Sequence, residues 1–150
     1  MNQNTIKPDE VISTLNDLIA LNRDGQAGYQ EAAEKCLSPT AKTLCLAQSR
    51  SHAHYVGELQ TQLHILGDEP DNTGSVSGAM HRGWMNLKAA LGGGDHALMT
   101  SIESFAEHAV STYRDALAES LPLDARDIVA RQFEGIQLTH AEVKALRETV

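Results

Sequence analysis

The chain has 150 residues, with 12 Lys and Arg against 20 Asp and Glu, and a net charge of −8. That length suits one domain with a core of its own. The negative charge, with no basic stripe to offset it, argues against nucleic acid and anionic membrane as partners.

Few aromatic residues and no β-branched runs give a pattern that reads as helical nearly throughout. The opening MNQNTIKPDE has no apolar run behind a basic start, so it does not read as a secretory signal. No stretch approaches the ~18 uninterrupted apolar residues of a membrane span. Pro8, followed by Asp9 and Glu10, starts a helix predicted over 8–36, because proline suits a first turn and acids suit its positive dipole end. Its inner stripe is Val11, Leu15, Leu18, Gly25, Tyr29, Ala33 and Cys36. In LSPT, Ser38 is a good N-cap and Pro39 a good first helical residue, so a second helix over 39–66 begins at once and folds back antiparallel. Its stripe runs Ala41, Leu44, Cys45, Gln48, His52, Tyr55, Val56, Leu59, Leu63 and Leu66, and Gly67 ends it. Cys36 and Cys45 lack CxxC or disulfide-scaffold spacing and read as core fillers with free thiols, which makes the cytoplasm the expected location.

GDEPDNTGSVSG is a loop, and a short amphipathic helix follows over 76–91, with Met80, Trp84, Leu87 and Leu91 on one side. GGGD stops it, and Asp95 is expected to cap a long helix over 95–121 with Met99, Ile102, Ala106, Ala109, Tyr113, Ala116 and Leu117 inward. SLPLD turns the chain into a last helix over 123–149, with Val129, Phe133, Ile136, His140, Val143 and Leu146 inward. Two antiparallel hairpins joined by a crossover make an all-α, ferritin-like four-helix bundle with a short crossover helix, a single domain over 1–150.

A di-iron bundle of that kind takes one Glu from each of two helices and a Glu-x-x-His from each of the others. Carboxylates bridge hard cations, and residues three apart on a helix share a face. The residues three places before the seven histidines are Ser49, Ser51, Thr61, Gly78, Gly93, Phe105 and Gln137, none of them acidic. The nearest approach, Gln137-x-x-His140, has an amide where the carboxylate would stand. Periodicity puts Asn22, Gln26, Tyr29, Gln48, His52, Tyr55, Tyr113, Gln132 and His140 inside, with Glu103 at the edge of its stripe and Asp24, Glu31, Glu107 and Glu134 further out. Depth along the hairpins places Tyr29, Gln48, Glu103 and His140 in one layer, expected to be a hydrogen-bonded polar network that fixes register. In RSHAHYVGE the helix period splits the histidines: His52 faces inward, His54 lies ~200° around, and His54 with Glu58 forms a solvated pair.

Three segments, DGQAGYQEAAE (24–34), SVSGAMHRGWMNLKAAL (75–91) and ESFAEHAVSTYRDAL (103–117), resemble a bacterial ferritin-like four-helix-bundle family of unknown function. The resemblance covers nearly the whole chain and implies the fold, an architecture similar to ferritin and rubrerythrin, and, by analogy with such folds, a homodimer. It marks Asp24, Tyr29, Arg82, Trp84, Glu107 and Tyr113 as motif positions. It transfers no catalytic residue, because the iron ligands of those relatives have no counterpart here.

The expected function is therefore that of a non-catalytic bundle acting through oligomerisation or partner binding, in a stress response, with no cofactor. An alternative is a metal-dependent redox enzyme or ferroxidase using iron or manganese with a non-standard ligand set, His52, Glu103, Glu107 and His140. A second is a small-ligand binder in the mid-bundle layer of Tyr29, Gln48, His52, Tyr113 and His140.

Overall fold

The computed structural model describes residues 6–68 and 94–150. They form four helices, α1 (Pro8–Lys35), α2 (Pro39–Ile65), α3 (Gly94–Ala118) and α4 (Leu123–Arg147). The crossover helix expected over 76–91, with Arg82 and Trp84, lies outside the described residues.

The ends of the helices follow from local chemistry. Pro8 opens α1 with Asp9 and Glu10 in the first turn. Ser38 caps α2 through a bond from the Ala41 amide to its hydroxyl oxygen at 3.3 Å. α2 closes on Gly67, whose φ of 82° is the left-handed conformation that glycine adopts at no steric cost. The Gly67 and Asp68 amides reach back to the carbonyls of His64 and Leu63 at 2.9 and 3.0 Å, the double closure of a Schellman end. α3 stops at Ala118 rather than at 121, since Leu121 precedes Pro122 and is steered away from helical backbone. The Leu117 carbonyl freed there accepts from Arg126 at 3.1 Å.

Each helix packs against two neighbours: α1 against α2 and α3, and α4 against α2 and α3. Neighbouring helices run antiparallel: Asn22 meets Tyr113 while Tyr29 meets Phe105, and Gln48 meets Thr139 while Tyr55 meets Gln132. α2 ends at one end of the bundle and α3 begins at the other. Asp95 does not cap its own helix. Its carboxylate accepts from the Leu37 and Ser38 amides at 2.9 and 2.7 Å, tying α3 to the α1–α2 corner, where those two amides would otherwise lack partners.

Leu15, Leu18, Leu59, Leu63, Met99, Ile102, Val129 and Val143 are fully enclosed between the four helices. At about 2 kcal/mol for each buried side chain of this size, these stripes supply the main drive for assembly.

Candidate functional site

Halfway along the bundle the apolar stripes give way to polar residues contributed by all four helices. His52 of α2 lies 2.6 Å, through Nδ1, from Asn22 Oδ1 of α1. Asn22 Nδ2 donates to the Leu18 carbonyl and to the Tyr113 hydroxyl of α3, both at 2.7 Å. Tyr113 donates to Gln132 Oε1 of α4 at 2.7 Å. Gln132 Nε2 donates to Glu58 Oε1 at 3.1 Å and to the Tyr55 carbonyl at 3.3 Å, both on α2. The other oxygen of Glu58 accepts from Arg131 at 2.9 Å, with His54 Nε2 3.7 Å away. The two halves of RSHAHYVGE are thus the inner and outer ends of one chain of hydrogen bonds.

Proton counting fixes the direction of that chain. A carbonyl only accepts, so the Asn22 nitrogen must face Leu18, and its oxygen faces His52. The imidazole therefore carries its proton on Nδ1 and donates it. Every later bond points the same way, from His52 to the Glu58 carboxylate, so each polarises the next. Burial holds the His52 pKa down at about 4, which keeps the ring neutral. Burial would raise the Glu58 carboxyl, but the bonds from Gln132 and Arg131, with the charges of Arg131 and His54, outweigh it and hold it below its ordinary value. Burial pushes the Tyr113 hydroxyl above its ordinary pKa, so it stays protonated and can donate.

The ring of His52 is also packed on its faces and edges. Tyr29 stacks on it at 5.5 Å between centroids, and Phe105 and Tyr55 meet it edge-on at 5.9 and 6.1 Å. Gly25 makes this possible. A Cβ there would stand 2.8 Å from the ring, a distance that no side chain occupies, so only glycine lets the imidazole lie against α1. The space left among Tyr29, His52, Phe105, Ile136 and Thr139 is about 10 Å³, the size of a single water site.

The remaining sequence candidates scatter. Tyr29 and Gln48, expected in one layer with Glu103 and His140, take partners outside that set: Tyr29 stacks on His52, while Gln48 accepts from Thr139 at 2.9 Å. Thr139 takes the interior position on α4. His140 is turned to the α3–α4 seam, its side chain 30% exposed and its Nε2 3.8 Å from the exposed Glu107. Glu103, expected at the edge, is buried at 6% exposure. The expectation of no interior carboxylate was wrong because an α4 residue from the last turn, Arg147, reaches in to meet it at 2.9 Å. That contact is an ion pair out of line for a hydrogen bond, and the same Glu103 oxygen has no other partner. Gln26, expected inside, is exposed, and only its carbonyl is used, accepting from Ser49 at 2.9 Å. Asp24 is half-buried on α1. His52, Glu103, Glu107 and His140 therefore do not share a centre, and among the described residues no three His, Cys, Asp or Glu side chains come within reach of one ion.

The sequence matches the family model described as Domain of unknown function (DUF2383) over residues 10–119. The chain belongs to that family. No curated protein matches it. Among solved structures it is similar to a two-domain protein from Anabaena variabilis containing DJ-1/ThiJ/PfpI-like and ferritin-like domains, with a TM-score of 0.76 and 15% identity. That alignment covers 96% of this chain and 37% of the other, so the chain spans well under half of that protein. It is also similar to a mutant of Dps1 from Mycobacterium smegmatis, with a TM-score of 0.73, 12% identity, and coverage of 93% and 96%. The DUF2383 chain thus has the ferritin-like bundle fold, and among the described residues no helix is long and apolar enough to cross a membrane.

Proposed function

We propose that this DUF2383 bundle is a non-catalytic, metal-free domain that works by self-association or by binding a protein partner, in a stress response in the cytoplasm. The observation that carries the reading is the hydrogen-bond chain from His52 to Glu58. In the middle of the bundle, where a ferritin-like di-iron protein gathers carboxylates and histidines, this chain supplies neutral groups bonded to one another. The interior carboxylate, Glu103, faces Arg147. A pair of divalent ions set among Asn22, His52, Tyr113 and Gln132 would meet one carboxylate, Glu58, which is already paired with Arg131.

Support for self-association comes from the end of the bundle where α2 stops and α4 starts. Ile6, Ile65 and Leu123 are 44%, 67% and 73% exposed there, apolar surface that a second copy would cover. A homodimer is the state we assign. The two free thiols agree with a reducing compartment. A small-ligand role has less support, because about 10 Å³ beside His52 holds nothing larger than water.

The test is aerobic loading of tag-free protein with ferrous iron, followed by desalting and metal analysis. The reading expects iron at background level and no acceleration of ferrous oxidation. Two irons per chain with turnover would overturn it in favour of the redox enzyme.

A further inference from the structure

The cavity beside His52 measures about 10 Å³ and is lined from all four helices. It exists because α3 presents Ala106 and Ala109 there, side chains too short to fill the space in front of Tyr29, Ile136 and Thr139. Its wall is largely carbon, and within it His52 and Thr139 each bring an atom able to accept a hydrogen bond.

Both atoms have a lone pair to spare. The ring proton of His52 sits on Nδ1, 2.6 Å from Asn22 Oδ1, so Nε2 is an acceptor. Nothing among the described residues donates to it, although the residue is only 3% exposed. The ring cannot turn to seek a donor elsewhere, because Gly25 and Tyr29 lie against it and Phe105 and Tyr55 meet it edge-on. Thr139 has one hydroxyl proton, which goes to Gln48 Oε1 at 2.9 Å or to the Gly135 carbonyl at 3.0 Å. Either way its oxygen can still accept. A body that fits between the two must therefore bring protons of its own. An ammonium ion would bring them too, but no carboxylate among the described residues lines the space to offset its charge.

We infer that this cavity is a binding site for one water molecule, which donates one hydrogen to His52 Nε2 and the other to Thr139 Oγ1. The size of the space admits one water and nothing larger. The water joins two sets of hydrogen bonds that the side chains alone leave separate. One is the chain from His52 to Glu58, and the other is the pair Thr139–Gln48. Together they make a path from Gln48 to Glu58 that passes through all four helices and holds His52 by both of its nitrogens. A water enclosed there leaves only when the helices part, so its residence time reports the opening of the bundle. The site depends on the tautomer of His52 and not on how the bundle associates.

The test is a high-resolution crystal structure of the full chain, combined with water–protein cross-relaxation spectra of isotopically labelled protein in solution. The expected result is density for one water within hydrogen-bond distance of both His52 Nε2 and Thr139 Oγ1. In solution a cross-peak should link water to the carbon-bound protons of the His52 ring, and the Nε2 resonance should be displaced from that of an unbonded imidazole nitrogen. Ala109→Val puts methyl groups into the space, and should abolish the cross-peak and return Nε2 to its unbonded position while the Nδ1 signal stays. Thr139→Ser keeps the accepting oxygen and should preserve both. A cavity without density or cross-peak, density for a body larger than water, or a cross-peak that survives Ala109→Val would each overturn the inference. If a variant loses its helical circular dichroism, the density and cross-peak of the wild type decide alone.

Discussion

Two polar regions of this bundle use similar residues with opposite results. From His52 to Glu58 the hydrogen bonds between side chains measure 2.6 to 3.1 Å, each donor has an acceptor, and the groups inside are neutral. Along the α3–α4 seam the groups are ionisable and the fit is loose. Glu107 and His140 stay 3.8 Å apart, the His140 Nε2 is buried without a hydrogen-bond partner, and Glu103 meets Arg147 out of line. Burying a neutral group costs little once it is hydrogen-bonded, whereas burying a charge costs a great deal even when paired. The bundle accordingly puts neutral groups at its centre, where geometry is shared by four helices. Its buried or half-buried carboxylates, Glu58 and Glu103, each meet an arginine, Arg131 or Arg147, that reaches toward solvent at 58% and 31% exposure. The first region is expected to fix the register of four similar helices, and the second to contribute little.

That contrast makes graded predictions. The largest effect is expected from Asn22→Ala, which leaves the His52 Nδ1 proton, the Tyr113 hydroxyl and the Leu18 carbonyl short of a partner. At about 1–3 kcal/mol for each orphaned group, the loss should be about 4 kcal/mol by urea denaturation. A loss below that of a surface substitution would show that the network is not cooperative.

Acid should act on the same region. His52 is neutral in the fold with a pKa of about 4, while the unfolded chain takes up a proton near its ordinary 6.5. The unfolded state therefore binds more protons between these values, and stability falls as pH drops from 6.5 to 4, by on the order of 3 kcal/mol. The Glu58 contribution, present above the ordinary carboxylate pKa, is lost lower still as pH falls through its depressed value. His52→Leu should remove the upper part of this pH dependence, which denaturation at a series of pH values would detect.

Gly25→Ala comes next. Alanine is the better helix former by about 1 kcal/mol, yet its methyl would press on the His52 ring, so a net loss of about 2 kcal/mol is expected. A gain in melting temperature would mean that the ring moves freely. Last, Glu107→Gln at the seam should change stability by no more than about 0.5 kcal/mol, because its partner is distant and Glu107 itself is exposed. An effect as large as that of Asn22→Ala would erase the distinction between the two regions.

Much of the fold was legible in sequence because its signals are local. Pro8 with Asp9 and Glu10, Ser38 with Pro39, and Gly67 each fix a helix end through neighbours within a turn. The inward placement of Asn22, His52, Tyr113 and Gln132 was legible too, since periodicity reports which face a residue occupies. Their pairing was not. Whether His52 meets Asn22 or His140 depends on how four helices slide and rotate against one another, and no helix carries that information by itself. Glu58 is the clearest case. Beside His54 it read as half of a solvated pair, but Gln132 on another helix reaches its inner oxygen and makes it the end of the buried chain. Glu103 was misplaced for the same reason, since its partner Arg147 is remote in sequence. Gly25 read as one small residue of the inner stripe of α1; what lies against it is the His52 ring.

The most direct measurement is a long-range proton–nitrogen correlation spectrum of His52, followed from roughly pH 8 to pH 5 and then with ferrous iron or zinc added. The account predicts a neutral imidazole protonated on Nδ1 throughout that range, with signals that neither titrate nor move on addition of metal. Titration near the ordinary histidine pKa, a proton on Nε2, or a metal-dependent shift at His52 would contradict it.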